Sequence, residues 1–194
     1  MKLGMFVYDF PHRKSVDFLL SMKYNNIKLD CVFGAPWVKL NSNELVRTRV
    51  RGFSPFHPHK VCDILGFDYN VVVHNSVECR KLISYYDLDV GIIAGARILS
   101  KNVIGCFKTG IINFHPGSLP ENRGLYNVAK ACISKYKQCV TAHLIDEHID
   151  SGVVLDSEVL IPDCDDTVFD IENKLYDMQV IMLPRILKLL EEKK

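Results

Sequence analysis

Two kinds of stretch alternate along the chain. Short, continuously apolar runs at residues 2–8, 29–33, 70–74, 89–94 and 110–114 predict five strands. Between them the apolar positions recur at helical spacing. Val16, Leu19 and Leu20 share one face of a helix over 15–24, and Ser76 stands as the N-cap of another carrying Leu82 and Ile83. Strands that are apolar throughout, alternating with helices, imply a parallel sheet covered on both faces. Val71, Val72 and Val73 look too uniformly apolar for a half-exposed edge. Further on, 125–136 predicts a helix, and 139–145 and 153–161 predict two more strands joined by the polar DEHIDSG loop. Residues 163–167 offer caps for a final helix to about Leu190, with Leu175, Met178, Ile181, Leu183 and Leu187 as its apolar face. The expected class is α/β: a single doubly wound, mainly parallel sheet with helices on both faces, forming one domain over residues 1–194.

The chemistry gathers where the fifth strand ends. Residues 110–124 read GIINFHPGSLPENRG: Ile111 and Ile112 lead into Asn113-Phe114-His115, and Pro116 and Pro120 stiffen the loop that closes on Gly124. On a strand Asn113 and His115 point to the same side, with Phe114 turned away. In open α/β sheets ligands bind beyond the carboxyl ends of the strands. A carboxylate, Asp150, follows in the DEHIDSG loop. An amide, an imidazole and a carboxylate in one cleft suit acyl-type transfer, with donors for an oxyanion and a group to manage protons. A buried polar cluster of purely structural role is the alternative.

Composition narrows the classes. Hydrophobic residues at 48% and charged residues at 24% fit a soluble globular protein, and no apolar run reaches the ~18 residues of a membrane span. The amino terminus reads as a first strand rather than a signal peptide. Seven cysteines without a C-x-x-C pair argue for free thiols in a reducing cytoplasm. A net charge of +1 gives no pull toward nucleic acid. No G-x-G-x-x-G follows the first strand, and Gly105-x4-Gly110 continues with Ile111-Ile112 where a P-loop needs Lys and Ser/Thr. His115, His143, Asp146 and Asp150 lack the companions of a zinc site, so no metal is expected.

Asn113-Phe114-His115-Pro116, Pro120, Arg123-Gly124, His143 and Asp150-Ser151-Gly152 together resemble the 10-formyltetrahydrofolate-dependent formyltransferases. The resemblance implies their Rossmann-like fold, formyl transfer from 10-formyltetrahydrofolate to a primary amine, and a catalytic triad of Asn113, His115 and Asp150. It also implies that GIIAGARILS lines the folate pocket through Ala96, Arg97, Ile98 and Leu99, with Asp146 in the facing loop. Arg97 could instead be a surface charge, Asp146 a turn-fixing residue, and His143 a satisfied strand histidine.

The acceptor is a separate question, because fold and triad are shared. Relatives acting on glycinamide ribonucleotide hold phosphate with a Gly/Ser/Asn-rich loop after the first strand; here that loop reads Tyr8-Asp9-Phe10-Pro11-His12-Arg13. The pattern from His115 to Gly124 is most similar to sugar N-formyltransferases, which implies a nucleotide-linked amino sugar as acceptor and leaves a homodimer open. A purine-type formyltransferase and a non-catalytic folate- or nucleotide-binding relative are the alternatives. Segment 35–60 is either a solvated loop or an anion-contacting one. In the second case Arg49 and Arg51, with Arg123, would contact the acceptor's phosphates.

Overall fold

The computed structural model describes residues 1–38 and 56–192. Seven strands form one sheet: β1 (Leu3–Tyr8), β2 (Cys31–Ala35), β3 (Tyr69–Val71), β4 (Val90–Ile93), β5 (Gly110–His115), β6 (Cys139–Leu144) and β7 (Val154–Val159). Their order is β3-β2-β1-β4-β5-β6-β7. The first five strands run parallel, while β6 pairs antiparallel with β5, and β7 antiparallel with β6. The mainly parallel sheet is as expected. Only β6 runs against the others: β7, antiparallel to β6, returns to the direction of β5, and the loop between them joins two antiparallel neighbours.

The helices are α1 (Arg13–Tyr24), α2 (Pro58–Leu65), α3 (Val77–Tyr86), α4 (Lys101–Ile104), α5 (Asn127–Ser134) and α6 (Val168–Glu192). Alternate residues of the strands feed two cores. Met5, Val7, Ile112 and Phe114 pack against Val16, Phe18 and Leu19 of α1 and Leu175, Met182 and Leu183 of α6. Phe6, Phe33 and Ile111 pack against Cys79 and Ile83 of α3 and Val103 of α4 on the other face. Ser76 caps α3 as expected, its hydroxyl accepting from the Cys79 N–H.

Three expectations are corrected. β3 is an edge strand: Val71 and Val73 are 53% and 59% exposed and only Val72 points inward, because among the described residues no further strand pairs beyond β3. Ile181 is 70% exposed, since the buried row of α6 runs through Leu175, Gln179, Met182 and Ile186 and leaves position 181 on the outer side. Segment 35–60 is not irregular throughout, for Pro58 at the first turn and Gly66 in a left-handed C-cap frame the short helix α2.

α1 and α6 lie side by side, and a break in one is mended by the other. Pro184 inside α6 has no N–H to offer the Val180 carbonyl, and the Ser21 hydroxyl of α1 donates to that oxygen at 3.4 Å. Tyr176 of α6 donates to Asp17 of α1 at 2.6 Å, and the Arg13 guanidinium lies 4.1 Å from the Tyr176 ring centre. These contacts fix the wall of the cleft described next.

Candidate active site

β5 delivers two polar side chains to the carboxyl end of the sheet. Ile111, Ile112 and Phe114 anchor it in the two cores, which turns Asn113 and His115 to a common side. Across the antiparallel pair, Asn113 stands opposite His143 and His115 opposite Thr141. The Thr141 hydroxyl donates to the Gly117 carbonyl at 2.8 Å and so holds the turn that follows β5.

The carboxylate arrives from the β6–β7 connection. Asp150 has φ +49°, a left-handed conformation that Asp tolerates better than most residues. Next but one stands Gly152, where a β-carbon would lie 1.7 Å from the Leu144 carbonyl oxygen, so only glycine lets the loop seat on the end of β6. Asp150 then reaches both strand residues. Its Oδ2 lies 3.3 Å from His115 Nδ1, and its Oδ1 accepts from Asn113 Nδ2 at 3.4 Å. The Gly124 N–H donates to Oδ2 at 3.1 Å. The structure thus brings Asn113, His115 and Asp150 into one constellation.

His115 is 3% exposed and locked from behind. Its Nε2 donates to the Asn122 carbonyl at 2.7 Å, a carbonyl that also accepts from Asn127 Nδ2 at 2.7 Å. Asn122 Nδ2 donates back to the Asn127 carbonyl at 2.8 Å. Both asparagines are buried, and neither was singled out by the sequence, where Asn122 reads as one more polar loop residue. His143 is fully buried in β6; its Nδ1 donates to the Leu144 carbonyl at 3.3 Å, leaving Nε2 to accept from Asn113 at 3.3 Å. It is both a satisfied strand histidine and a contact of the site.

Burial pulls the His115 pKa below its ordinary value, opposed by the Asp150 carboxylate and the Asn122 carbonyl. For Asp150 burial works upward, but the His143 and His115 rings and the Gly124 N–H outweigh it and hold the carboxyl below its usual range. Acceptors flank both ring nitrogens of His115, so when the ring is charged both its protons are bonded.

A cleft of about 600 Å³ opens over this group. Its floor is Asn113, His115 and Asp150, and its wall includes Lys14 of α1 and Tyr176 and Gln179 of α6. Lys14 was also missed by the sequence. Its Nζ donates to Gln179 Oε1 at 2.8 Å and to the Phe114 carbonyl at 3.4 Å, partners remote along the chain.

The residues assigned to the folate side do not line this cleft. Ile98 is 68% exposed, Arg97 is exposed with its guanidinium donating to the Val38 carbonyl at 2.9 Å, and Ala96 is half-buried. Leu99 is 4% exposed and packs its side chain into the α3–α4 core, so only its backbone is left to face a ligand. Asp146 accepts from the His148 N–H at 2.8 Å and the Ser151 hydroxyl at 2.6 Å, which shapes the loop carrying Asp150. Arg123 is exposed beside Gly124, and Arg49 and Arg51 lie outside the described residues. Among the described residues no group of three or more His, Cys, Asp or Glu side chains is arranged to hold a metal ion, and no helix is long and apolar enough to cross a membrane.

The formyl transferase family model matches residues 46–187, a stretch that contains the whole constellation. The chain belongs to the formyl transferase family. Methionyl-tRNA formyltransferase of Fusobacterium nucleatum is 32% identical over 103 residues, 52% of this chain and 33% of that protein. The chain spans 8–54% of the length of the first curated relatives it matches. Among solved structures, phosphoribosylglycinamide formyltransferase from Anaplasma phagocytophilum superposes with a TM-score of 0.77 at 18% identity, covering 100% of this chain and 88% of that one. A sugar N-formyltransferase from Shewanella sp. gives 0.65 at 20% identity, covering 96% and 68%. At such identities these likenesses carry the fold, and the acceptor has to be argued from the site.

Proposed function

We propose that the chain transfers the formyl group of 10-formyltetrahydrofolate to the primary amine of a nucleotide-linked amino sugar. The observation that carries the transfer is the Asp150 carboxylate, in contact with both His115 and Asn113 on the floor of the cleft. The donor set suits a formyl carbon under attack, with N–H groups for its oxygen and a carboxylate–imidazole pair for the proton. The donor would lie toward the β4–α4 loop, which Asn75 braces by donating to the Ile98 carbonyl at 2.9 Å and accepting from the Ser100 N–H at 2.8 Å.

As the amine nitrogen attacks, a C–N bond forms and the formyl oxygen gains negative charge. The two Asn113 N–H contacts, at 3.3 and 3.4 Å, are longer than the usual ~2.9–3.0 Å and can be exchanged for a bond to that oxygen. When protonated, the His115 ring adds positive charge beside that oxygen while its Nδ1–H stays on Asp150. Asp150 takes the proton from the attacking nitrogen, directly or through a water. The bond to the donor nitrogen then breaks, and that nitrogen takes the proton in its place.

For the acceptor, the loop after β1 is the guide. His12 closes the start of α1 with its own ring, accepting from the Ser15 N–H at 3.2 Å, and Pro11 has no N–H to give. Such a loop differs from a glycine-rich phosphate cradle and favours the sugar reading. A purine-type acceptor is the second reading, favoured by the near end-to-end superposition on a phosphoribosylglycinamide formyltransferase. Incubation with formyl donor and either a UDP- or dTDP-linked amino sugar or glycinamide ribonucleotide, followed by mass spectrometry, tests both. A formyl gain on the nucleotide sugar is expected, and a gain on glycinamide ribonucleotide alone would select the second reading. Folded protein that formylates neither would overturn both.

A further inference from the structure

Two buried asparagines stand behind His115, and their placement decides which ring nitrogen keeps its proton. Asn122 and Asn127 are 1% and 7% exposed. The Asn122 carbonyl lies 2.7 Å from His115 Nε2 and 2.7 Å from Asn127 Nδ2, so its two lone pairs take one donor each. Asn122 Nδ2 donates back to the Asn127 carbonyl at 2.8 Å, which ties the two residues into one clamp. A β-carbon on Gly117 would stand 3.0 Å from His115 Nε2 and 3.1 Å from the Asn122 carbonyl oxygen, so the glycine lets the clamp close behind the imidazole. On the opposite side Nδ1 faces Asp150 Oδ2 at 3.3 Å, on the floor of the cleft.

A neutral imidazole has one proton for these two acceptors. Placed on Nδ1, that proton would leave a bare Nε2 against a carbonyl oxygen at 2.7 Å in a buried place, with only the Asn127 amide, 2.9 Å away, to offset the repulsion. Placed on Nε2, it makes a bond of ordinary length there. The misfit is then left at the 3.3 Å contact, which borders the cleft and lies beyond the usual bonding range. The first proton therefore belongs on Nε2, and a second one on Nδ1, where Asp150 stands, makes the ring a cation.

We propose that Asn122 and Asn127 are positioning residues that keep Nε2 of His115 protonated, so that the ring is charged whenever its Nδ1–H is bonded to Asp150. The proposal rests on the formyl-transfer reading for the reaction it serves, in which that charge stabilises the oxyanion. Asn127 is the member open to substitution, because Asn122 touches the ring through its backbone. The titratable groups that face His115 are Asp150 from the β6–β7 loop, His143 from β6 and Lys14 from α1. The clamp itself meets the ring with uncharged groups. Burial lowers the His115 pKa, and Asp150 and the Asn122 carbonyl work against it. Burial also lowers the Lys14 pKa, to about 8, so the histidine limb is read below that pH.

Two-bond nitrogen–proton NMR correlations distinguish an imidazole protonated on Nδ1, on Nε2 or on both, and the signal lost in His115→Ala identifies His115. Once neutral, wild-type His115 should be the Nε2–H tautomer. A neutral Nδ1–H tautomer overturns the proposal, whether or not any variant folds. Asn127→Leu removes the donor that holds the Asn122 carbonyl in place. With folding checked by circular dichroism, the histidine limb of its kcat/KM profile should move to lower pH. Its kcat should fall roughly five- to tenfold, the scale of one hydrogen bond, with the KM for the formyl donor little changed. Asn127→Asp sets a carboxylate beside Nε2 and should move the limb to higher pH. Limbs that stay in place, or that move in the same direction, in the two folded variants overturn the proposal. The tautomer is read without any formyl donor, so its outcome separates from that of the reaction. An Nε2–H histidine in a protein that formylates nothing supports the clamp while removing the reaction. Formylation by a protein whose neutral His115 carries Nδ1–H removes the clamp while keeping the reaction.

Discussion

Gly152 sits so close to Leu144 that a β-carbon on it would fall 1.7 Å from the Leu144 carbonyl oxygen. That approach seats the loop two residues after Asp150 on the end of β6 and aims the carboxylate at His115. Gly152→Ala should push the loop off β6, with a stability loss of about 1–3 kcal/mol or more and a larger loss of turnover. Denaturant melts alongside formyl-transfer assays measure both. An alanine variant as stable and active as wild type would show that the loop is held by something else.

His115→Ala should lower turnover by about two orders of magnitude or more, the usual effect of losing an oxyanion donor. Folding should survive, although the Asn122 carbonyl loses one of its two donors. Near-normal turnover in the folded variant removes His115 from the mechanism, and a collapse of the fold assigns it to structure.

Asp150→Asn tests the electrostatic link to the histidine. Asparagine accepts the left-handed backbone and can still accept from the Gly124 N–H. Without the carboxylate, one influence that raises the His115 pKa is gone, so the histidine limb of the kcat/KM profile should move to lower pH while the rate falls. A limb that stays in place would mean that Asp150 does not act through His115.

His143→Phe fills the same buried space but removes the acceptor for Asn113. A neutral hydrogen bond is worth about 1 kcal/mol, so turnover should drop roughly five-fold, with the KM for the formyl donor little changed. The opposite split, an altered KM at unchanged kcat, would speak against a positioning role for His143.

Acid should weaken the fold before most carboxylates titrate. His12, His74 and His115 all have pKa values below the ordinary 6.5, chiefly through burial, with His12 near 4. Between the folded and unfolded values the unfolded chain binds more protons, so stability falls as pH drops below about 6.5. His12→Asn keeps a helix cap but cannot titrate, and its melting temperature should decline less steeply from pH 6.5 to 4. Parallel declines would exclude His12 as a contributor.

The strands and the three catalytic candidates were legible because they are local signals. A run such as Ile111-Ile112 followed by Asn113 and His115 declares both the strand and its polar end. Three valines declare a strand equally well, yet nothing in Val71–Val73 says what lies beside it, so the edge position of β3 stayed hidden. Lys14 was illegible for a related reason: on the chain it is a polar residue at a helix start, and its meaning comes from Phe114 and Gln179, which reach it only through the packing of α1 against β5 and α6. Asn122 and Asn127 are legible only after the loop has folded back behind His115.

The change from parallel to antiparallel pairing at β5 has a further consequence. Because β6 runs against β5, it starts beside His115 and ends with Leu144 beside Ile112, so the loop to β7 folds back along β5 before Asp150 meets Asn113 and His115, and all three candidate groups belong to one ribbon of three neighbouring strands. The wall that would meet the acceptor comes from α1 and α6, elements from opposite ends of the chain. Chemistry and selection are therefore built from separable parts. Exchanging the side chains of α1 and α6 that line the cleft would redirect the ribbon to new amines without rebuilding it.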